Sequence, residues 1–186
     1  MNTESLQTIT LHDDLILKVS SLLLDDVGSY RTVKVALTSF PLDEQLSADN
    51  VSATIRLTRL GTSVLAQGTA EGSVEMECVR CLNSYEQPFS IRFTEQFRQT
   101  TDIHRGAQPR EEEDWDESEI ELAFEINDAH ELDLTELLRQ WIVLALPTAP
   151  NCGPDCPGPQ PIDNGDDVAV DDRFAALQQL LVNEDE

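Results

Sequence analysis

The stretch SVLAQGTAEGSVEMECVRCL, residues 63–82, alternates apolar or small residues with polar ones along most of its length. Alternation with a period of two is typical of a strand that buries one of its two faces. The buried face carries alanine or glycine at positions 66, 68, 70 and 72, so a bulky partner must pack over it or the strand must bend there. The CVRC motif at its end, residues 78–81, predicts the turn of a hairpin.

A second alternating run follows that turn and predicts the partner strand of the hairpin. Its inward-facing residues are aromatic or aliphatic: Tyr85, Phe89, Ile91, Phe93 and Phe97. If the two runs pair about residues 79–84, Ala70 lies opposite Phe93, and a small side chain faces a large one. The same register places Ala66 opposite Phe97.

Other periodic segments predict the rest of the architecture. Alternating residues predict strands at 33–37, 51–57 and 120–126. Helical spacing of apolar residues predicts helices at 11–24, at 133–146 after a capping box, and at 173–181. Together these elements predict an α+β fold, in which an antiparallel β-sheet of about five strands carries packed helices.

The same patterns predict one domain with an appended segment. We expect residues 1–146 to form a single α+β domain that includes an acidic loop at 101–118. Residues 147–186 then form a segment rich in proline and cysteine, with a C-terminal helix that packs on the same domain. The prolines between 147 and 161 exclude a regular element there.

The four cysteines occur as two closely spaced pairs, Cys78 with Cys81 and Cys152 with Cys156. Two thiolates three residues apart on a tight turn can point at one cation, which makes the first pair half of a zinc site. The second pair has a spacing that such sites tolerate. Together the four residues predict a closed structural zinc site that ties the hairpin to the proline-rich segment.

Two other interpretations of the cysteines remain open. Free thiols without a metal are expected in a reducing compartment. A thioredoxin-like redox motif needs its CxxC at the start of a helix, where the dipole lowers the pKa of the thiol. The pair at 78–81 lies instead between two predicted strands. Arg80 within it is either a solvated turn residue or a contact for phosphate or carboxylate.

The strongest compositional feature is acidity. The 186 residues include 36 acids and 12 bases, for a net charge of −24. Such a field excludes free electrostatic affinity for nucleic acid as a default. The charge is regional, because residues 1–101 carry 13 acids and 8 bases, a net of −5, and residues 102–186 carry the remaining −19. A basic partner therefore suits the second half of the chain best.

The densest acidic run is EEEDWDE, residues 111–117. Charge blocks of this kind repel themselves and usually stay solvated, so a flexible surface loop is one interpretation. The other is an acidic strip that docks a basic protein, with Trp115 as its anchor.

Two classes of function receive no support from the sequence. The three histidines are isolated from any nucleophile motif, and no phosphate-binding glycine motif occurs, so an enzyme is not indicated. The amino terminus lacks the features of a signal peptide, and the longest apolar run, 141–146, is too short to span a bilayer. We therefore expect a soluble cytoplasmic protein without a membrane partner or a small-molecule substrate.

The basic residues of the first half are the candidates for contact with RNA. If several share the exposed face of the sheet, they can touch phosphates while the acidic half lies away from the RNA. The alternative is pairing with Glu71, Glu75, Glu77 and Glu95; the predicted hairpin register places Glu71 beside Arg92. The candidates are Lys34, Arg56, Arg59, Arg80, Arg92 and Arg98.

Several segments of the sequence resemble the YceD family. They are GTAEGSVEMECVRCL, YEQPFSIRF, LDLTELLRQWIVLALPTAPNC and DDRFAALQQLL, and the resemblance runs from about residue 11 to 181. The most specific motifs are the CxRC at 78–81 and the aliphatic helix that ends in LALP at Pro147. In one respect the chain departs from the family, because no further cysteine pair follows Cys156. Any metal must therefore be completed by the pair at 78–81, or by Asp155 or water.

The resemblance implies a non-enzymatic role in ribosome biogenesis, namely support of 23S rRNA accumulation and assembly of the large subunit. The implied partners are 23S rRNA or a pre-50S particle, a basic large-subunit ribosomal protein, or both. The acidity favours an alternative, in which the protein is an acidic escort or chaperone of a basic ribosomal protein. A thiol redox module is a third hypothesis.

Overall fold

The structure is a computed structural model that describes residues 8–11, 15–103, 106 and 124–159. Within these ranges the strands are β1 (Thr8–Leu11), β2 (Ile16–Lys18), β3 (Tyr30–Pro41), β4 (Ser47–Arg59), β5 (Ser63–Glu77), β6 (Ser84–Gln99), β7 (Phe124–Ile126) and β8 (Glu131–Asp133). The helices are α1 (Ser20–Leu24) and α2 (Thr135–Ala145). The chain divides into two compact units, Met1–Cys156 and Pro157–Glu186, and all of these elements belong to the first.

In the described part of the chain the strands form one eight-stranded mixed sheet, in the order β1-β3-β4-β5-β6-β7-β8-β2. β1 pairs in parallel with β3, and β6 with β7, while the other neighbours are antiparallel. The two edge strands are consecutive in sequence, so Leu11 and Ile16 are at most about 18 Å apart along an extended chain. The sheet must therefore curl until its edges approach each other.

The prediction of an α+β fold with about five strands and packed helices is wrong. The fold is mostly β, with eight strands and two helices of 5 and 11 residues among the described residues. β1, β2, β7 and β8 are only three or four residues long. Segments of three or four residues are too short for alternation to be measured in the sequence, and their extended conformation is set by pairing with a neighbouring strand. The exception is β7, which is the described end of the alternating run at 120–126.

The predicted helix over 11–24 is wrong in its first half. Burial alternates between residues 15 and 19, since Leu15, Leu17 and Val19 are buried and the residues between them are exposed. This is the period of a strand, and β2 pairs with β8. Only α1 is helical.

The long hairpin of β5 and β6 is confirmed, but its register differs from the predicted one. Gly68 lies opposite Phe93, and Ala70 lies opposite Ile91. A shift of two residues leaves every side chain on its predicted face, because the faces of a strand repeat with a period of two. The shift arises because the turn spans residues 78–83, one position earlier than predicted.

Aromatic residues of β6 pack over the small residues of β5, as the sequence predicts. A Cβ atom at Gly68 would lie 2.6 Å from the carbonyl oxygen of Thr54 and 2.9 Å from Cζ of Phe93. A Cβ atom at Gly72 would lie 2.9 Å from Cζ of Phe89. Strand β5 therefore needs glycine at both positions, because the space above them is already filled.

Helix α2 confirms the helix predicted at 133–146. Its apolar face is fully buried through Leu137, Leu138 and Ile142. The capping box differs from the prediction, because the helix begins after Leu134. Asp133 instead accepts a hydrogen bond from the Thr135 N–H at 2.7 Å.

The strands predicted at 33–37 and 51–57 are confirmed as parts of β3 and β4. The predicted helix at 173–181, Trp115 and most of the acidic loop at 101–118 lie outside the described residues. Of the strand predicted at 120–126, the part described is β7. None of the helices in the described ranges has the length and apolar character needed to cross a membrane.

Candidate metal centre

The turn of the β5–β6 hairpin carries the first cysteine pair. The Cys78 N–H donates to the carbonyl oxygen of Asn83 at 3.0 Å, and the Leu82 N–H donates to that of Cys78 at 2.9 Å. Leu82 has a φ of 59°, which lets the chain reverse within this turn. The turn brings the sulfur atoms of Cys78 and Cys81 close together.

The second pair reaches the hairpin through the segment that follows α2. The Val79 N–H donates to the carbonyl oxygen of Pro150 at 3.0 Å, so the backbone of the turn is bonded directly to this segment. The Gly153 N–H donates to Oδ1 of Asn151 at 2.9 Å, and Gly153 has a φ of 106°, a conformation that favours glycine. The Cys156 N–H donates to the carbonyl oxygen of Gly153 at 3.2 Å and completes a second tight turn.

The two turns bring all four predicted ligands into one cluster. Sγ of Cys78 lies 3.8 Å from Sγ of Cys156. Sγ of Cys81 lies 3.7 Å from Sγ of Cys152. All four sulfur atoms lie within 4.8 Å of one another. Four sulfurs placed at about 2.3 Å around Zn²⁺ form a tetrahedron with edges of about 3.8 Å, so the cluster has the dimensions of a four-thiolate zinc site.

The distances also bear on the other interpretations of the cysteines. A disulfide requires sulfur atoms about 2.05 Å apart, and all four residues are free thiols. Cys78 and Cys81 are buried, whereas Cys152 and Cys156 are half-buried. The first pair lies in a turn between β5 and β6, so it lacks the helix dipole that activates a thioredoxin-like thiol.

Hydrogen bonds and burial give the sulfur atoms unequal acidities. The backbone N–H of Cys152, together with N–H groups of the hairpin turn, lowers the pKa of Cys78 to about 6. The sulfur of Cys156 and burial raise the pKa of Cys152 to about 12. The N–H of Asn83 acts to lower the pKa of Cys81, but burial and the neighbouring sulfurs raise it above its ordinary value. Metal ligation requires thiolates, so a cation that binds here displaces protons.

The six candidate basic residues do not all lie together. Arg80 is exposed in the hairpin turn beside the cysteine cluster. Arg98 forms an ion pair with Glu125 at 2.9 Å, and Arg59 is half-buried at the end of β4. The other three are exposed on the outer face of the sheet: Lys34, Arg56 and Arg92.

Tyr30 contacts one of the candidate basic residues, and the sequence patterns did not indicate it. The guanidinium carbon of Arg56 lies 3.9 Å from the centre of the Tyr30 ring, which is a cation–π contact. Tyr30 pairs with Thr58, the outward-facing residue after Arg56 on β4, so the contact runs diagonally across two strands. The contact between Tyr30 and Arg56 follows from the register of β3 against β4, so the sequence could have indicated it only if that pairing had been known.

Comparison with known proteins identifies the family. A family model described as "Large ribosomal RNA subunit accumulation protein YceD" matches residues 66–181. The match includes both cysteine pairs and α2, but it begins later than the resemblance predicted from about residue 11. No curated protein and no solved structure matches the chain. The family model covers more than half of the 186 residues, and the chain therefore belongs to the YceD family of large ribosomal RNA subunit accumulation proteins.

Proposed function

We propose that this protein is a non-enzymatic ribosome biogenesis factor that supports accumulation of 23S rRNA and assembly of the large subunit by binding. Membership of a family described by rRNA accumulation supports a role at the large subunit. The proposed partners are 23S rRNA or a pre-50S particle, a basic protein of that subunit, or both. The proposed place of action is the cytoplasm.

A structural zinc ion at the four cysteines is part of this proposal. The observation that supports it is the tetrahedral size of the sulfur cluster, in which every sulfur lies within 4.8 Å of the others. Four thiolates leave zinc no open coordination position, so such an ion orders the protein and does not act on a substrate. Ligands from both turns suffice, and neither Asp155 nor water is needed as a fourth ligand.

The proposed zinc ion stabilises a particular surface of the protein. The hydrogen bond from Val79 to Pro150 and the sulfur cluster both join the hairpin turn to the segment after α2. This arrangement presents Arg80 between two exposed apolar side chains, Val79 and Leu82. A binding role is consistent with a turn held this way, because an ordered surface loses less conformational entropy when it binds a partner.

The acidity favours a second candidate, in which the protein is an escort of a basic ribosomal protein. Residues 102–186 hold 23 acids and 4 bases, a net of −19, whereas residues 1–101 hold a net of only −5. A partner rich in lysine and arginine complements that half of the chain. Such an escort raises rRNA levels indirectly, because subunits assemble more completely.

A pull-down of the full chain from cells, with and without nuclease, tests the proposal. Under the first candidate, large-subunit rRNA and its proteins co-purify, and the proteins are lost after nuclease treatment. Under the escort candidate, one basic ribosomal protein stays bound in stoichiometric amount after nuclease. Absence of every large-subunit component from both samples would contradict the proposed function.

A further inference from the structure

The outer face of β3 to β6 holds three exposed cations in a defined arrangement. Lys34 of β3 and Arg92 of β6 lie in one cross-strand row, with Thr54 and Thr69 between them. Arg56 of β4 lies in the next row. We call the surface formed by these two rows the basic face.

The dimensions of the basic face follow from sheet geometry. Neighbouring strands are about 4.8 Å apart, and successive residues on one face of a strand are about 6.8 Å apart. Lys34 and Arg92 are separated by three strand spacings, so their Cα atoms are about 14 Å apart. Arg56 lies between them and one step along the strand, so the three cations form a triangle on the outer face of the sheet.

Neutral polar side chains fill the space between the cations. Hydroxyl and amide groups of this kind bond phosphate and sugar oxygens in nucleic-acid complexes. They carry no charge that would neutralise a neighbouring cation. On the basic face they are Thr32, Thr54, Gln67, Thr69 and Thr94, all outward-facing in the strand register.

Of the nine basic residues that the structure describes, three form ion pairs with described carboxylates and six do not, and three of those six make up the basic face. Arg31, Arg98 and Arg139 each form an ion pair with a carboxylate. Among the described residues, no carboxylate forms an ion pair with any of the three cations of the basic face. Lys18, Arg59 and Arg80 also form no ion pair with a described carboxylate, but the three cations of the basic face share two adjacent cross-strand rows. In a chain with three times as many acids as bases, 36 against 12, such a group of cations indicates a surface suited to an external anion.

The acids that the sequence offered as partners lie elsewhere. Glu95 lies on the inner face and accepts the indole N–H of Trp141 at 3.0 Å. Glu71 lies opposite Ser90, one row beyond the basic face toward the hairpin turn, and the exposed Glu75 and Glu77 follow it. The acids of β5 therefore lie on the hairpin-turn side of the basic face, and its cations lie on the neighbouring strands β3, β4 and β6.

We propose, as an extension of the proposed function, that the basic face binds RNA through its sugar–phosphate backbone. The three cations contact phosphates, and the neighbouring hydroxyl and amide groups bond phosphate or ribose oxygens. Tyr30 lies against the Arg56 guanidinium and orients it before the RNA arrives. Contacts between cations and phosphates release counterions, so the affinity for RNA falls as the salt concentration rises. Contacts to the backbone carry no sequence information, so the affinity changes little when the RNA sequence changes.

Fluorescence polarisation with a labelled single-stranded fragment of large-subunit rRNA measures this binding. Three phosphate contacts predict that log K falls with log salt concentration with a slope of about −2. The variant Arg56→Gln/Arg92→Gln is expected to bind about tenfold more weakly, with a slope of about −0.7, because one phosphate contact remains. The control Lys18→Gln/Arg139→Gln removes the same charge from β2 and α2 and is expected to bind within about twofold of the unchanged protein.

Three results would overturn the proposal. One is equal weakening by both double variants, since the net charge alone would then govern binding. Another is a lack of RNA binding by the unchanged protein at low salt. The third is stoichiometric binding of a basic ribosomal protein in place of RNA. Thermal unfolding of each variant shows that it is folded before its affinity is compared.

Complementation in cells separates failure of this proposal from failure of the proposed function. If loss of the gene leaves large-subunit rRNA at its normal level, the proposed function itself is wrong. If the unchanged gene restores the rRNA level and Arg56→Gln/Arg92→Gln restores it equally well, the function stands and the basic face is not its RNA contact. The expected result is poor restoration by that variant and full restoration by Lys18→Gln/Arg139→Gln.

Discussion

The sulfur atoms of Cys81 and Cys152 lie 3.7 Å apart, although 71 positions separate the two residues in the chain. Cys81 belongs to the turn between β5 and β6, and Cys152 belongs to the segment that follows α2. Neither segment has a helix or strand of its own to order it. A zinc ion bound at the cysteine cluster, as proposed above, would order both of them at once, while the sheet has its own apolar core.

Removal of metal by a chelator is expected to loosen the hairpin turn and to leave the sheet folded. The Val79 amide donates a hydrogen bond to the carbonyl oxygen of Pro150. It should exchange its hydrogen with solvent faster once the four sulfurs lose the metal ion that they share. The buried Ile55 of β4 provides the control, because its amide should stay protected. Hydrogen-exchange measurements before and after chelation test this, and unchanged exchange at Val79 would count against a structural metal.

Substitution of Gly68 by alanine is expected to destabilise the sheet. The new Cβ atom would lie 2.6 Å from a backbone oxygen of β4 and 2.9 Å from the Phe93 ring, so strands or ring must shift. Overpacking of this kind costs about 2 kcal/mol of the free energy of unfolding. The control Thr69→Ala changes an exposed neighbour and should cost less than about 1 kcal/mol. Urea unfolding measures both, and equal losses would show that β5 is not tightly packed at Gly68.

The contact between Trp141 and Glu95 is expected to contribute to the packing of α2 on β6. The indole N–H donates to Oε1 of Glu95 at 3.0 Å, and the indole lies beside Phe93 with ring centroids 6.3 Å apart. Trp141→Phe should lower the free energy of unfolding by about 2 kcal/mol, because it removes the donor and part of the contact area. Glu95→Gln keeps an acceptor oxygen and should cost less.

A double-mutant cycle isolates the hydrogen bond itself. Trp141→Phe, Glu95→Ala and their combination should show a coupling energy of about 1 kcal/mol. Additive losses would mean that the two side chains do not interact in solution.

The stability contributed by Asp128 is expected to disappear in acid. Hydroxyl groups of Thr101 and Thr100 donate to Oδ1 of Asp128 at 2.5 and 3.0 Å and lower the pKa of its carboxyl group below 3.8. A carboxyl group with a lowered pKa in the folded state stabilises that state above its unfolded pKa, and the contribution is lost as the pH falls through the folded value. Asp128→Asn should therefore be less stable than the unchanged protein at neutral pH, and the difference should shrink below pH 3.8.

The control for this prediction is Asp26→Asn, which removes one negative charge from an exposed aspartate in another part of the fold. Removal of any one negative charge reduces the repulsion among the charges of a chain with a net charge of −24, and this effect alone changes the free energy of unfolding. The Asp26→Asn variant measures that general effect. A loss of stability by Asp128→Asn that stays constant from neutral to acid pH would show that the threonine hydroxyls do not favour the charged carboxylate.

The parts of the fold that the sequence predicted are those with long, regular patterns. Strands β3 to β6 each alternate over twelve or more residues, and α2 shows a continuous apolar face. Strands β1, β2 and β8 had no such pattern, and the parallel pairings of β1 with β3 and of β6 with β7 join segments that are distant in sequence. Such pairings depend on the whole curled sheet, so local periodicity cannot reveal them.

The candidate site was predicted residue by residue, as four cysteines in one cluster that ties the hairpin to the proline-rich segment, but the backbone contacts that bring the two pairs together were not predicted. The cysteine spacings indicated two half-sites, and free thiols or a redox motif remained open as alternatives to one shared site. Their meeting depends on the bond from Val79 to Pro150, which is made by backbone atoms and has no sequence signature. In the same way, the separation of Arg92 from Glu71 depends on a register that the turn sets, and the predicted turn was one position too late.

Elemental analysis of protein purified without a chelator tests the central claim, that the four cysteines hold one structural zinc ion, most directly. We expect about one zinc per chain for the unchanged protein and much less for Cys152→Ser. Ser84→Ala, just past the hairpin turn, is the control and should keep its metal. A fully folded protein without zinc, whose Val79 amide remains protected from exchange, would contradict the claim.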